Sequence, residues 1–416
     1  MFGDVPSRDN RWLPGHIHHP PEICTMKLAF VSQTWPENAT VEFAGSSVQV
    51  YYLVQEFARR GHEVLLILTH QIDPIQPPYP TLSIRTAPIV SGLRHHLRKS
   101  WQRFITDALS GFQPDIVYQR GKLPESVACS NFCTKNNALF VWLSNSDETG
   151  KPNKFLTKRR QHPKSNPILQ AARIAEAMVA DKKIEQAIRT AGMVIAQNTY
   201  QADLLRRNFG MNPIIAGSGH FIPPLIERAP TDEISVLWLA NVTPVKQPLM
   251  FIELAEKLSG TPLRFTMAGA MQNKELREEI ERRTGLLPGF HLVGHVPFHQ
   301  SNGLFQAADI FTHTSSSEGL PNTLLQACIH GVPIVSLKND PDNLITKHGF
   351  GIVATSMEEF AQAVRGLAED HQARKEMGRK GRKFAEEQYD IRLLVDKLTA
   401  LFQQELARRN GVESVV

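Results

Sequence analysis

Short apolar runs alternate with amphipathic stretches along most of the chain from Met26 onward. In the first half the runs are MKLAFVS, EVLLILT, DIVYQ, ALFVWLS and MVIAQ. The stretch SSVQVYYLVQEFARR has helical spacing and ends at Gly61. Because the runs are apolar throughout, they are typical of parallel strands that helices cover on both faces. The pattern therefore predicts repeated strand–helix–strand units and an α/β fold.

The alternation pauses at residues 217–233, where Gly, Pro and charged residues are frequent, and then resumes. The strands of the second block are SVLWLA, LRFTMA, FHLVG, DIFTH and PIVSL. Helices are predicted from about 246, 273, 300 and 321, and then at about 371–388 and 392–409. We therefore predict two doubly wound domains in tandem. Facing each other, they would hold a ligand in a cleft at the carboxyl ends of their strands.

These patterns divide the chain into five parts. They are a flexible extension at 1–25, a first domain at 26–216, a linker at 217–233, a second domain at 234–390 and a final helical segment at 391–416.

Composition narrows the class of protein. With 42% apolar and 21% charged residues over 416 positions, the chain has the make-up of an ordinary globular protein. No apolar run approaches the roughly 18 residues of a membrane span. Four cysteines are too few for a disulfide framework, so we interpret them as buried free thiols in a reducing compartment and expect a cytoplasmic protein.

The segment 308–337 carries the clearest candidate chemistry. A buried strand, DIFTH, is followed by the loop SSSEGL and then by a helix in which Pro321 fits the first position. Unpaired backbone N–H groups from about Gly319 to Thr323 would then form an anion site at the helix N-terminus. Glu318 stands just before it, where a carboxylate is suited to accept hydrogen bonds from hydroxyls of the same ligand.

The same segment resembles a known family. A small-residue run, E-G-x-P-N-x-x-x-x-A and then G-x-P-[IV]-[IV] are similar to the donor-site signature of GT-B fold glycosyltransferases of the family 4 type. The stretches LWLANVTPVKQP, LVGHVPFHQSNGLFQAADIF and FAGSSVQVYYLVQEFARRGHEV resemble further parts of that family. The resemblance covers about residues 26–405.

The resemblance implies two facing Rossmann-like domains (GT-B) and a retaining transfer of a hexose from a nucleotide diphosphate sugar to an acceptor hydroxyl. It implies no metal and no other cofactor, and a final helix that packs back on the first domain. Lys246 falls on the family's lysine, which contacts the diphosphate, and Glu318 on the glutamate that holds donor-sugar hydroxyls. The other donor-binding candidates are Gly45, Asn241, Gly319, Leu320, Asn322, Thr323 and Gln326.

Three positions depart from the family pattern. Asn241 stands where an arginine is usual, and Gln326 where a second glutamate is usual. The family's histidine after the strand ALFVWLS is missing, and the loop there begins at Asn145. Because the usual arginine and the second glutamate are absent, a degenerate transferase that only binds sugar or partners remains an alternative. A sugar nucleotide 2-epimerase, which uses the same fold without an acceptor, is a further alternative.

Two basic segments belong to the first half. The helical pattern at 93–109 either packs its apolar stripe on the sheet, which we favour, or lies on an anionic membrane. The segment 151–164 has six Lys or Arg and no acid, and its Pro and Asn content predicts a mobile loop. We expect the acceptor to be a sugar or a lipid-linked molecule. We also expect that the protein can bind peripherally to the anionic inner face of the membrane, and that it does not bind nucleic acid. The acceptor-side candidates are His70, Asn145, Lys158, Arg159 and Arg160.

Overall fold

Two parallel sheets, each covered by helices on both faces, form the protein. A computed structural model describes residues 25–36, 45–70, 75–87, 98–226, 233–316 and 320–411. The strands are β1 Lys27–Ser32, β2 Glu63–Leu68, β3 Leu82–Thr86, β4 Ile116–Arg120, β5 Leu139–Leu143, β6 Met193–Ala196, β7 Ile214–Ile215, β8 Ile234–Leu239, β9 Leu263–Ala268, β10 Phe290–Gly294, β11 Ile310–His313, β12 Ile334–Leu337 and β13 Gly351–Ala354. The predicted fold class is confirmed.

Fourteen α-helices are described, together with three short 3-10 helices at Asp147–Gly150, Pro244–Lys246 and Pro341–Asn343. The α-helices are α1 Gly45–Arg59, α2 Arg98–Phe112, α3 Glu125–Asn136, α4 Lys154–Gln161, α5 Pro167–Arg189, α6 Thr199–Phe209, α7 Pro248–Lys257, α8 Lys274–Thr284, α9 Phe298–Ala307, α10 Asn322–Ile329, α11 Leu344–His348, α12 Met357–Glu369, α13 His371–Gln388 and α14 Ile391–Arg409. None of these described helices is long and apolar enough to cross a bilayer.

The first sheet has the strand order β3-β2-β1-β4-β5-β6-β7, with every pair parallel. Its strands bury both faces, and β1 illustrates why the sequence is apolar throughout. Leu28 and Phe30 enter a core shared with α1 and α14. Ala29 and Val31 point to the opposite face and join a core with α2, α3, α5 and α6. The sheet is thus a buried layer between two layers of helices.

The second sheet repeats the plan, with the order β10-β9-β8-β11-β12-β13. Helices α7, α8 and α12 cover one face, and α9, α10, α11 and α13 cover the other. In each sheet the order reverses beside the first strand, between β1 and β4 and between β8 and β11. Such reversal points open a crevice at the carboxyl ends of the strands, where ligands of doubly wound folds bind.

Two chain segments run between the sheets and are hydrogen-bonded to each other. The His220 N–H donates to the Tyr389 carbonyl at 2.7 Å, and the Ile391 N–H donates to the His220 carbonyl at 2.9 Å. Beyond this crossing, α14 packs on the first sheet, where Phe402 stacks on Phe57 with ring centroids 6.1 Å apart. The C-terminal helix therefore belongs to the core of the N-terminal sheet.

The prediction of a mobile loop at 151–164 is wrong. Residues Lys154–Gln161 form α4, because the Phe155 and Leu156 N–H groups donate to the Asp181 carboxylate of α5 at 3.1 and 2.8 Å. Buried Leu156 adds apolar contact to this hairpin. The Pro and Asn residues of this segment are typical of a loop, and the carboxylate that stabilises the helix lies 25 positions after Leu156 in the sequence.

The interpretation of the other basic segment holds for its described part. In α2, Ile105 and Leu109 are fully buried on α3 and the sheet, while Arg103 is exposed. Leu93 and Arg94 lie outside the described residues, as do residues 1–24. The predicted free thiols are confirmed at three positions, which are Cys129, Cys133 and Cys328.

Candidate functional site

The loops that follow β8 and β11 are tied together at the reversal point of the second sheet. The Thr314 hydroxyl donates to the Lys246 carbonyl at 2.7 Å and accepts from the Trp238 indole N–H at 2.8 Å. The Ser316 N–H donates to the Val245 carbonyl at 2.9 Å. Lys246, half-buried, therefore ends a short 3-10 helix that is held at the carboxyl edge of the sheet.

A close approach of two backbones fixes the start of the same loop. A Cβ at Gly269 would lie 1.8 Å from the Ala240 carbonyl oxygen, and the backbone there has φ +149°. Only glycine permits this contact, because any side chain would overlap the carbonyl. The Val242 N–H also donates to the Ala270 carbonyl at 2.9 Å. Half-buried Asn241 is thereby held at the strand edge between these two contacts.

Helix α10 begins beside this loop. It begins at Asn322, so Pro321 precedes the helix instead of occupying its first position. The Leu324 and Leu325 N–H groups donate to the Pro321 carbonyl, whereas the N–H groups of Asn322 and Thr323 stand at the end of the helix, where no intrahelical acceptor exists. Two of the predicted unpaired amides, those of Asn322 and Thr323, therefore lie in this first turn, and their binding of an anion stays a prediction. Leu320 is half-buried just before it.

The residues Ser317, Glu318 and Gly319 lie outside the described residues. The assignments of Glu318 to donor-sugar hydroxyls and of Gly319 to the phosphates therefore stay predictions.

Asn322 joins the two domains across the cleft. Its side-chain amide donates to the Gly45 carbonyl at 3.3 Å, and its Oδ1 accepts from the Gln49 Nε2 at 3.0 Å. A Cβ at Gly45 would lie 2.9 Å from the Asn322 Nδ2, so a side chain at that position would displace the Asn322 amide. Two predicted donor-binding residues, Gly45 and Asn322, are thus brought together although 277 positions separate them.

Gln49 completes this contact and was not a sequence candidate. Its Oε1 accepts from the Gly219 N–H at 2.8 Å, and its Nε2 lies 3.2 Å from the His220 Nε2. Because an amide nitrogen only donates, the His220 Nε2 must accept. The one available signal was a glutamine near the start of the apolar helix sequence VQVYYLV.

Burial keeps His220 neutral. The side chain is 1% exposed and burial lowers its pKa from 6.5 to about 4, with a hydrogen bond to Asn322 opposing this shift only in part. Aromatic rings surround it: the Tyr52 ring centroid lies 5.0 Å away, and Tyr52 in turn contacts Phe221 at 5.3 Å and Phe298 at 6.0 Å. The interdomain contact therefore depends on an uncharged imidazole.

Gln326 faces its own domain. It is 5% exposed, and its amide nitrogen donates to the Ser301 hydroxyl at 2.9 Å and to the Asn302 Oδ1 at 3.4 Å. Both partners belong to α9. A ligand hydroxyl could reach only its Oε1, so the side chain is poorly arranged to replace a glutamate.

The acceptor-side candidates separate into two groups. His70 and Asn145 follow β2 and β5 at the carboxyl edge of the first sheet. The His70 Nδ1 lies 2.9 Å from the Thr69 hydroxyl, and its ring centroid lies 4.7 Å from that of Trp101. Asn145 is half-buried against Gly121.

Lys158, Arg159 and Arg160 lie on α4, where Lys158 and Arg160 are exposed. The Arg159 carbonyl accepts from Gln170 of α5 at 3.0 Å. These three residues therefore belong to the α4–α5 hairpin and not to the carboxyl edge of the first sheet, where His70 and Asn145 lie.

Residues 340–342 form a D-x-D sequence, and its first aspartate accepts hydrogen bonds from a neighbouring helix. The Asp340 carboxylate accepts from the Ile345 N–H at 2.8 Å and from the Thr346 hydroxyl at 2.6 Å, which makes it a cap for α11. Within the described ranges, no group of three or more His, Cys, Asp or Glu side chains is arranged to hold a metal ion.

Two family models match the chain. Residues 43–224 match glycosyltransferase family 4, and residues 226–384 match glycosyl transferases group 1. Together they cover every described strand except β1. The chain belongs to the group 1 and family 4 glycosyltransferases. No curated protein matches the chain.

Solved structures share the fold of this glycosyltransferase at low sequence identity. Sucrose-phosphate synthase from Thermosynechococcus elongatus is 15% identical with a TM-score of 0.72, over 92% of this chain and 100% of that one. HepE from Anabaena, in complex with UDP and glucose, is 15% identical with a TM-score of 0.66, over 91% and 99%. WaaG, a glycosyltransferase of lipopolysaccharide biosynthesis, is 16% identical with a TM-score of 0.64, over 90% and 99%.

The neutral His220 predicts how acid affects the stability of the glycosyltransferase. Its folded pKa of about 4 lies below the ordinary 6.5, so between these values the unfolded chain binds a proton that the folded chain does not. This residue therefore costs no stability above pH 6.5, and as the pH falls to 5 it lowers the free energy of unfolding by about 2 kcal/mol.

The measurement is urea unfolding of the wild type and of His220→Gln at pH 7.5 and pH 5.0. Comparing the two proteins removes the contribution of every other titrating group. The variant should lose about 2 kcal/mol less than the wild type between these pH values. Parallel losses would mean that His220 titrates normally and is not buried as described.

Proposed function

We propose that the protein transfers a hexose from a nucleotide diphosphate sugar, with UDP as the nucleotide, to an acceptor hydroxyl. One observation carries the proposal: at the reversal point of the second sheet, the loop that ends in Lys246 is bonded to the segment that follows β11 and leads into α10. Asn322, the first residue of α10, bonds to Gly45 of the opposite domain. A cation and unpaired amides at one edge are the groups that a diphosphate requires. HepE, which has the same fold, binds UDP and glucose, and this supports the choice of nucleotide.

The chemistry follows from charge on the leaving group. When the bond between the sugar and the diphosphate breaks, negative charge grows on the diphosphate. The Lys246 ammonium and the α10 amides would stabilise that charge, and losing one such group typically costs about 10²- to 10³-fold in turnover. Asn241 contributes no charge there, so Lys246 carries the larger share. We propose a retaining, metal-independent transfer, with the lysine and the helix in the role of a metal ion.

Two alternatives differ in what they do with the donor. A 2-epimerase would isomerise the sugar nucleotide without an acceptor, and a degenerate transferase would bind it without reaction. Incubation of the protein with UDP-sugars alone, followed by analysis of the sugar, separates the epimerase from a transferase. Donor binding without hydrolysis or transfer, over many acceptors, would favour the degenerate transferase.

The proposal predicts unequal effects at two donor-site positions. Lys246→Ala should reduce turnover about 100-fold or more, since it removes leaving-group stabilisation. Gln326→Ala should reduce turnover several-fold at most, because its amide nitrogen is already bonded to α9. The measurement is the release of UDP from UDP-sugars in the presence of a panel of sugar acceptors.

Lys274→Ala is the matched control, because that side chain is 87% exposed on α8 and pairs with Glu278 of its own helix. It should leave turnover unchanged. Equal and small effects of Lys246→Ala and Gln326→Ala would contradict the donor-site assignment.

We further propose a peripheral site at an anionic membrane, where a lipid-linked acceptor would be presented. The α4–α5 hairpin supports it: Ile168 is 83% and Leu169 51% exposed at the start of α5, on the same hairpin as exposed Lys158 and Arg160. Exposed apolar side chains beside basic ones are suited to a surface of anionic lipid.

Liposome flotation tests this second proposal. At low salt the wild type should float with vesicles that contain anionic lipid and stay behind with neutral vesicles. Changing Lys158, Arg159 and Arg160 to Ala should remove most of the binding. Absence of binding by the wild type, or equal binding by the triple variant, would contradict the proposal of a membrane site. Neither result would contradict the proposed transferase activity.

A further inference from the structure

A buried arginine lies at the reversal point of the first sheet. Arg120 is the last residue of β4, which pairs with β1 where the strand order reverses. It is 3% exposed. This edge faces the cleft on the side opposite Lys246, so Arg120 stands at the ligand crevice of the acceptor-side domain.

The guanidinium is only partly paired. With the Gln197 amide turned to satisfy its neighbours, Gln197 accepts from the Arg120 Nη2 at 3.1 Å. Nε and Nη1 have no hydrogen-bond partner in the part of the chain that the structure describes. Burial lowers the pKa of Arg120. A charge interaction and a hydrogen bond oppose this shift, and both come from the phenol of Tyr118, with no contribution from a carboxylate.

A second buried cation two residues later shows the contrast. The fully buried Lys122 has its counterion, with Nζ 2.5 Å from the Glu185 Oε1 and 3.0 Å from the Lys151 carbonyl. Burial of a charge is costly unless an opposite charge and hydrogen bonds compensate for it. Lys122 meets this condition within the described chain and Arg120 does not. Among the residues that the structure describes, the partner that Arg120 lacks is an anion.

Space for that anion lies beside the guanidinium. A cavity of about 240 Å³, including the part open to solvent, is lined by Arg120 together with Ser32, Gln33, Ser46 and Ser47. Hydroxyl and amide groups of these side chains are further hydrogen-bond donors.

We propose that Arg120 binds an oxyanion, a carboxylate or a phosphate, carried by the acceptor. The proposal rests on the proposed transferase function and gives it a substrate class: acidic or phosphorylated sugars. Arginine suits this role because its planar fork donates two parallel hydrogen bonds to either group. Arg120 would bind and orient the acceptor, while Lys246 remains the residue that acts on the leaving group.

The test uses the full-length protein saturated with UDP, so that the donor site is occupied. Inorganic phosphate is then titrated into the wild type, Arg120→Met and Arg206→Met by calorimetry. Arg206 is the control, since it is an exposed arginine of α6 that pairs with Asp203. We expect phosphate to bind the wild type and Arg206→Met equally, and Arg120→Met at least tenfold more weakly.

A second arm separates the two oxyanions and tests the fold. Glucuronate and glucose 6-phosphate, with glucose as the neutral reference, are titrated in the same way. The wild type should prefer at least one charged sugar over glucose tenfold or more, and Arg120→Met should abolish that preference. The thermal midpoint of Arg120→Met without ligand should equal or exceed that of the wild type, because an uncompensated charge has been removed.

Three results would overturn the proposal. One is no binding of phosphate or of either charged sugar to the UDP-saturated wild type. Another is a charge preference that persists in Arg120→Met. The third is a loss of UDP affinity in Arg120→Met, which would assign the cavity to the donor. If UDP itself fails to bind any of the proteins, the proposed function fails instead, and phosphate titration without UDP then decides on Arg120 alone.

Discussion

Among the contacts that hold the two halves of the cleft in register, the side chain of Asn322 bonds directly to Gly45 and Gln49. The two domains fold from separate sheets with separate cores, and neither sheet determines where the other lies. A single asparagine at the first position of α10 donates to one backbone carbonyl and accepts from one side-chain amide of the opposite domain. The helix end that would bind the diphosphate is therefore attached to the first domain by the residue that begins it.

The surroundings of this contact explain why it is tolerated. Gln49 and His220 are buried polar groups, and a buried polar group is costly unless it is hydrogen-bonded. Each amide atom of Gln49 has a partner among Gly219, His220 and Asn322. The neutral imidazole accepts where a charged one would repel. Glycine at position 45 leaves the room that Asn322 needs.

The sequence was sufficient to predict the fold class and the helix N-terminus of the donor site, but not the contacts between the two domains. Apolar runs that do not alternate predicted the parallel sheets, and the helix start after DIFTH predicted the anion-binding turn, because both depend on local pattern. The strands β3, β7 and β13 were missed since they are short edge strands with few buried positions. Gln49 and Arg120 were missed for a different reason: a glutamine inside a helix and an arginine at a strand end are unremarkable until distant partners, or their absence, become visible.

The central claim is that the interdomain contact prepares the donor site, and a double-mutant cycle on UDP binding tests it most directly. Calorimetry would compare the wild type with Gln49→Ala, Asn322→Ala and the double variant. Residues in one hydrogen-bond network couple by about 0.5 to 3 kcal/mol. We predict that each single change weakens UDP binding and that the double variant binds about as weakly as either single one. Additive losses, or no loss in any variant, would contradict the account.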